Sequence, residues 1–320
     1  MKLRMVLAAL LALGAVACGD DDGMMMADAG PSGPVLQTGD GPDPTDATGI
    51  AIDPATAAPA DYACLGMGMR PTGGEDVTFD LEIKEFRTDD TLGDLCVRFY
   101  ADNMPMPGDT CDPESDLVTD GDGVVEVTAP ANGWYAYRVF PKEGPSPSLQ
   151  IAGSVQINEP APEADGGSAE GNSVSQATLD LIPTVLGFSQ VPGTAVVAGT
   201  VFDCAGDPVY GAEVRLYRED GSPILEGTAN ADPHYRYFDG DDFPSADQPY
   251  THVDGLFATA NIPVASDGEF VFMELWGRLG ESDTEAQLIS CERLPVFGDT
   301  ISIVNLEPLR ADAPACPGAS

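Results

Sequence analysis

The run Asn230-Ala-Asp-Pro-His-Tyr-Arg-Tyr-Phe-Asp-Gly-Asp-Asp-Phe-Pro244 gathers aromatic, imidazole and carboxylate side chains into one short stretch. Tyr235, Tyr237 and Phe238 offer flat apolar faces of the kind that stack on sugar rings. Asp239, Asp241 and Asp242, with Asp232 close by, offer the hard oxygen ligands that a calcium ion takes. Long loops on a rigid scaffold are where binding chemistry concentrates. The stretch is therefore expected to be a loop that binds a ligand through its aromatics and calcium through its aspartates. A structural role suits the same residues: the rings fold back as a small core and the aspartates form turns.

Other chemistry is thinly represented. Asp120-Gly-Asp-Gly123 resembles part of a calcium loop, but Val118 and Ala129 stand where such a loop needs carboxylates. An Asp-Gly hairpin turn accounts for it better. His234 and His252 are the only histidines, and no G-x-S-x-G accompanies them, so no nucleophilic triad is expected. There is no phosphate-binding G-x-x-x-x-G-K-[ST] motif and no G-x-G-x-x-G. An enzyme is not expected.

The seven cysteines are Cys18, Cys64, Cys96, Cys111, Cys204, Cys291 and Cys316. There is no C-x-x-C and histidine is scarce, which argues against zinc. Met1-Lys-Leu-Arg4 is a basic leader, and Met5 to Val16 is an apolar run of signal-peptide length, too short to span a membrane. Ala15-Val16-Ala17-Cys18, followed by Gly-Asp-Asp-Asp, resembles a bacterial lipobox. The resemblance implies a lipid on Cys18 of the mature chain. Ala15 stands where that motif usually has a larger aliphatic residue, so cleavage near Ala17 is the alternative. Lipidation leaves six cysteines, an even number for an exported protein. Cys96–Cys111 is expected to pair, closing a short loop for roughly 3 kcal/mol. The other four pair either as Cys204–Cys291 with Cys64–Cys316, or as Cys64–Cys204 with Cys291–Cys316.

The elements that must position these residues are strands. Val77, Phe79, Leu81 and Ile83 alternate with polar neighbours, the period of a half-buried strand. Strands are also expected at Leu95–Tyr100, Val124–Thr128 and Trp134–Phe140, then at Ala212–Tyr217, Phe270–Trp276, Gln287–Leu294 and Thr300–Leu306. Ser175 is placed to cap a short helix that ends near Pro183. The two halves echo each other. Val97-Arg-Phe-Tyr100 matches Val214-Arg-Leu-Tyr217, and the Asp122-Gly123 turn matches Asp254-Gly255, with about fifteen extra residues in the second half.

Val197-x-Gly199-x-Val201-x-Asp203, then Gly206, Pro208-Val209, Gly211-Ala212 and Val214, resembles the opening hairpin of a carboxypeptidase-regulatory-like domain. That resemblance implies a small transthyretin-like β-sandwich without catalytic residues. Cys64-Leu-Gly66, a first sandwich, a linker with a short helix and then this hairpin together resemble bacterial surface lipoproteins.

The expected fold is all-β, with two tandem β-sandwich domains of carboxypeptidase-regulatory-like or immunoglobulin-like type. The divisions are a signal peptide over 1–17, a disordered acidic tether over 18–60 and the first sandwich over 61–157. A linker with a short helix over 158–193, the second sandwich over 194–310 and a tail over 311–320 follow. The net charge of −39 repels nucleic acid and anionic lipid, so membrane contact is expected only through the N-terminal lipid. The function expected is a non-catalytic surface module that engages a polysaccharide or another surface protein. A structural envelope spacer is the alternative. The expected location is the outer membrane or cell surface.

Overall fold

The computed structural model describes residues 34–38, 58–68, 73–311 and 313–319, apart from 87, 113, 147–148, 186, 240–243, 247, 266 and 281. Cys18 and the Met24–Met26 run therefore lie outside the described residues, as do Asp241 and Asp242.

Strands dominate. β1 (Gln37–Thr38) and β2 (Ala58–Pro59) make a small ribbon. β3 (Asp76–Glu85), β4 (Cys96–Tyr100), β5 (Leu117–Val118), β6 (Val124–Pro130), β7 (Trp134–Val139) and β8 (Ile151–Pro160) follow. β9 (Gly167–Ser175) runs straight into the helix α1 (Gln176–Val185). Then come β10 (Thr194–Val201), β11 (Glu213–Arg218), β12 (Pro223–Ile224), β13 (His234–Phe238) and β14 (Pro244–Ser245). β15 (Leu256–Pro263), β16 (Glu269–Gly277), β17 (Gln287–Val296) and β18 (Thr300–Leu306) complete the set. The all-β sandwich fold is as the alternation indicated.

The layering differs from two beads on a linker. A middle sheet runs β14-β13-β15-β10-β18-β8-β7-β4-β5, so strands of both halves lie side by side. The join is β18, which pairs in parallel with β8 on one side and β10 on the other. An upper layer of β6, β3 and β9 covers one face of the first half. A lower sheet, β12-β11-β16-β17, covers the opposite face of the second half. β7 shows the consequence: all six of its residues are buried. Tyr135, Tyr137 and Val139 pack with Phe79, Leu81 and Val127 of the upper layer, while Ala136 joins the core of the lower sheet. Successive side chains point to opposite faces, so a strand buried on both faces reads as a continuous run.

The expected linker is not a linker. It contains the end of β8, all of β9 and α1. Gly171 within it, like Gly153 just before it, marks close approach rather than looseness. A Cβ on Gly153 would come within 2.4 Å of Thr300 Oγ1, and one on Gly171 within 2.9 Å of the Tyr137 hydroxyl oxygen. Ser175 Oγ accepts the Thr178 N–H at 3.2 Å, the expected N-cap. Pro183 lies in the last turn of α1, near its end as expected.

Both ends of the chain also depart from expectation. Within the expected tether, Leu36 is 1% exposed and packs in the core of the lower sheet. Its N–H donates to Arg278 O at 2.9 Å, and the Tyr210 N–H donates to Gln37 O at 2.9 Å. The short apolar run Pro34-Val35-Leu36 suffices to dock it when the sheet edge supplies backbone partners. The expected tail is held by Cys291–Cys316 and by the Gly318 N–H, which donates to Glu274 Oε1 at 2.7 Å.

Candidate functional site

The 230–244 stretch contributes a strand to the middle sheet where a loop was expected. β13 pairs with β15 over His234 to Tyr237. Alternation then divides its side chains. Tyr237 packs inside the lower core with Tyr235 against it. Each hydroxyl reaches across to the lower sheet: Tyr237 Oη accepts the Val214 N–H at 2.9 Å, and Tyr235 Oη accepts the Leu216 N–H at 3.2 Å. Tyr235 Oη also donates to Ile224 O at 2.5 Å. These phenols satisfy backbone donors of β11 beside the short strand β12. Burial pushes both hydroxyls well above the ordinary phenol range. Phe238 is buried against Leu256 and Ala258. Tyr237 and Phe238 are buried and Tyr235 is half-buried, so the three rings do not form one exposed platform.

Asp239 follows β13, apart from Asp241 and Asp242, which are not described. Among the described residues, Cys96, Cys111 and Asp116 lie close enough to share an ion, as do Glu274, Cys291 and Cys316. Their cysteines are already spent in disulfides. The three bonds are Cys96–Cys111, Cys64–Cys204 and Cys291–Cys316. The first is the pairing expected from its short loop, and the other two are the second of the alternatives left open by spacing.

The remaining charged clusters are structural. Arg98 grips Asp116 through Nε (2.6 Å) and Nη2 (3.0 Å) and Asp109 through Nη1 (2.8 Å), fixing the loop closed by Cys96–Cys111. The Asp203 carboxylate, at the start of the D-C-x-G-x-P turn, accepts from Ala205 N, Asp207 N and Asp61 N at 2.9, 3.0 and 2.8 Å. Asp120 Oδ1 accepts from Asp122 N and Val124 N, which makes Asp120-Gly-Asp-Gly123 a turn.

A hollow lies between α1 and the upper face of the middle sheet, with a volume of about 180 Å³. The other parity of β13 (His234, Arg236 and Phe238) forms one wall. Ala198 of β10 with Ala258 and Ala260 of β15 forms the floor, and Leu179 and Pro183 of α1 the roof. His234 is 6% exposed, stacks on Phe188 with ring centroids 4.2 Å apart, and its Nε2 has no hydrogen-bond partner among the described residues. Sequence reasoning named this histidine only to dismiss it from a triad. The alternating run His-Tyr-Arg-Tyr-Phe was the signal that could have placed it on the face opposite the tyrosines.

No family model and no curated protein matches the chain. Among solved structures it is similar to the shaft pilin SpaA from Lactobacillus rhamnosus GG, at 11% identity over 73% of this chain and 98% of that one, with a TM-score of 0.21. It is also similar to GBS52, the minor pilin of Streptococcus agalactiae, at 10% identity over 75% and 99% of the two chains, with a TM-score of 0.21. BcpA, the major pilin subunit of Bacillus cereus, matches at 8% identity over 73% and 69%, with a TM-score of 0.18. Scores this low carry no argument about fold or role.

Proposed function

We propose that the protein is an exported, lipid-anchored surface module without catalytic activity, which engages another surface protein or a polysaccharide. The observation that carries this reading is the cysteine balance. Six of the seven cysteines are consumed in disulfides, and the one left over is Cys18, directly after the apolar leader. Disulfides belong to oxidising compartments, and an odd cysteine at that place is what an acylated N-terminus requires. The carboxypeptidase-regulatory-like hairpin fits a scaffold, because its Asp203 and cysteine are committed to turn and staple.

The test is expression of the full-length chain in a bacterial host, followed by detergent-phase partition and mass spectrometry of the N-terminal peptide. An acylated Cys18 in the detergent phase is expected, and Cys18→Ser should move the protein to the aqueous phase. An unmodified N-terminus just after Ala17 would overturn the anchor. Cross-linking on intact cells, beside a glycan array run with and without calcium, then separates a protein partner from a polysaccharide.

The burial of Tyr235, Tyr237 and Phe238 favours a second reading, a structural spacer with no sugar site. Silence on the array together with an absence of cross-linked partners would support it.

A further inference from the structure

The hollow under α1 is maintained by residue choice. Val196 and Ile301 stand beside it with bulky side chains, yet Ala198, Ala258 and Ala260 line it on β10 and β15. Larger aliphatics at those positions would close the space, since protein interiors pack to crystal-like density. Small residues alone say nothing about a ligand. The buried His234 does. Its Nδ1 lies 3.4 Å from Arg236 Nη2, and a guanidinium only donates. Nδ1 is then the acceptor, and Nε2 carries the ring hydrogen. That N–H has no partner, and a buried polar group left unpaired costs free energy that a bound acceptor would recover.

Size sets the rest. A cavity of about 150 Å³ lined by Leu, Ile and Phe holds benzene, so a volume of 180 Å³ suits one ring with a short substituent, about six to nine non-hydrogen atoms. Pockets for drug-sized molecules begin near 300 Å³, which rules out a disaccharide or a fused-ring lipid. The lining is mostly apolar; besides His234 and Arg236 its polar side chains are Gln156, Asn172, Thr178, Thr200 and Asn305, and the Gln156 amide is occupied. Gln156 Oε1 accepts from the Tyr137 hydroxyl, and Nε2 donates to Glu159 Oε1 at 2.6 Å.

We propose that this cavity binds a single-ring aromatic molecule carrying an acceptor oxygen, with the ring over the alanine floor and the oxygen on His234 Nε2. The site is independent of the anchor and of any macromolecular partner. Pro183 in its roof has no N–H to give Leu179 O, so the last turn of α1 is the part with the least to lose on admitting a ligand.

The experiment is a calorimetric titration of the purified exported chain with three probes: acetophenone, toluene and 2-acetonaphthone. Acetophenone is expected to bind, toluene about tenfold more weakly for want of the hydrogen bond, and the two-ring ketone not at all. His234→Phe should weaken acetophenone about tenfold and leave toluene unchanged. Ala258→Leu should abolish both. Should that variant fold poorly, Ala198→Val serves in its place. Methyl shifts of Val196 and Ile301 in the unmutated protein report occupancy without any substitution. No binding by acetophenone or toluene overturns the proposal. So does binding that survives both cavity-filling changes, or binding of the two-ring probe as tight as that of acetophenone.

Discussion

Tyr237 and Glu159 carry opposite kinds of burial. The Tyr237 hydroxyl is matched to a backbone donor, so Tyr237→Phe leaves the Val214 N–H unpaired. A loss of about 1–2 kcal/mol in urea unfolding is expected, with Tyr235→Phe costing a similar amount. Both results would mark the rings as core; unchanged stability would count against that. Glu159 sits beside Gln156, and burial raises its carboxyl from the ordinary range to about 7. A raised folded pKa means that the fold favours the protonated form. Its contribution is complete below the unfolded value near 4.5 and is lost as pH rises through about 7. Wild type should therefore lose up to about 3 kcal/mol between pH 4.5 and 8 relative to Glu159→Gln, followed by chemical denaturation across that range. At this scale the sequence showed which residues were unusual but not which way they faced. The cluster from Tyr235 to Phe238 was visible, and its division between two faces depended on recognising a five-residue strand inside an aspartate-rich stretch.

Among the elements, β9 and the segment around Leu36 were the hardest to foresee. β9 is built from Gly, Ser, Ala, Glu and Asn with a single Val, and its place is set by a parallel register with β3 that no local pattern encodes. Parallel pairing is non-local, and composition is a poor guide to it. β3, β4 and β6 were legible because one face of each is wet and the alternation survives. Leu36 is the fully buried member of a three-residue apolar run, and its value comes from the space that it fills. Leu36→Ala should cost about 2–4 kcal/mol if the segment is as integral as its burial indicates. Limited proteolysis should then cut between residues 34 and 60 faster than in wild type; an unchanged digestion rate would sink the idea. Removing Cys96–Cys111 by a double serine substitution should cost roughly 3 kcal/mol, read as a shift in the denaturation midpoint.

The whole molecule behaves as one unit if its middle sheet does. β8 belongs to the first half and β18 to the second, and they share five register pairs. A chain ending at residue 157 lacks both β9 and β18, so it is expected to be unfolded or aggregated, with no dispersed NMR spectrum. The intact protein should unfold in one calorimetric transition. Two resolved transitions would mean that the halves are independent after all. The degenerate repeat misleads here. It gives two similar strand sets and therefore two beads, but β4 and β15 lie in the middle sheet while their counterparts β11 and β6 lie in the outer layers. The motif repeats, and the layer assignment inverts.

Cys64–Cys204 closes a covalent ring around everything between them, including all of the first sandwich. Tension applied at the N-terminal end and resisted at the C-terminal end crosses that sulfur bridge directly. The covalent path between the ends therefore bypasses residues 65–203, and load reaches the first half through the pairing of β8 with β18. The bridge thus limits how far a pull on the two ends can extend the first half, even if the shared sheet were to part.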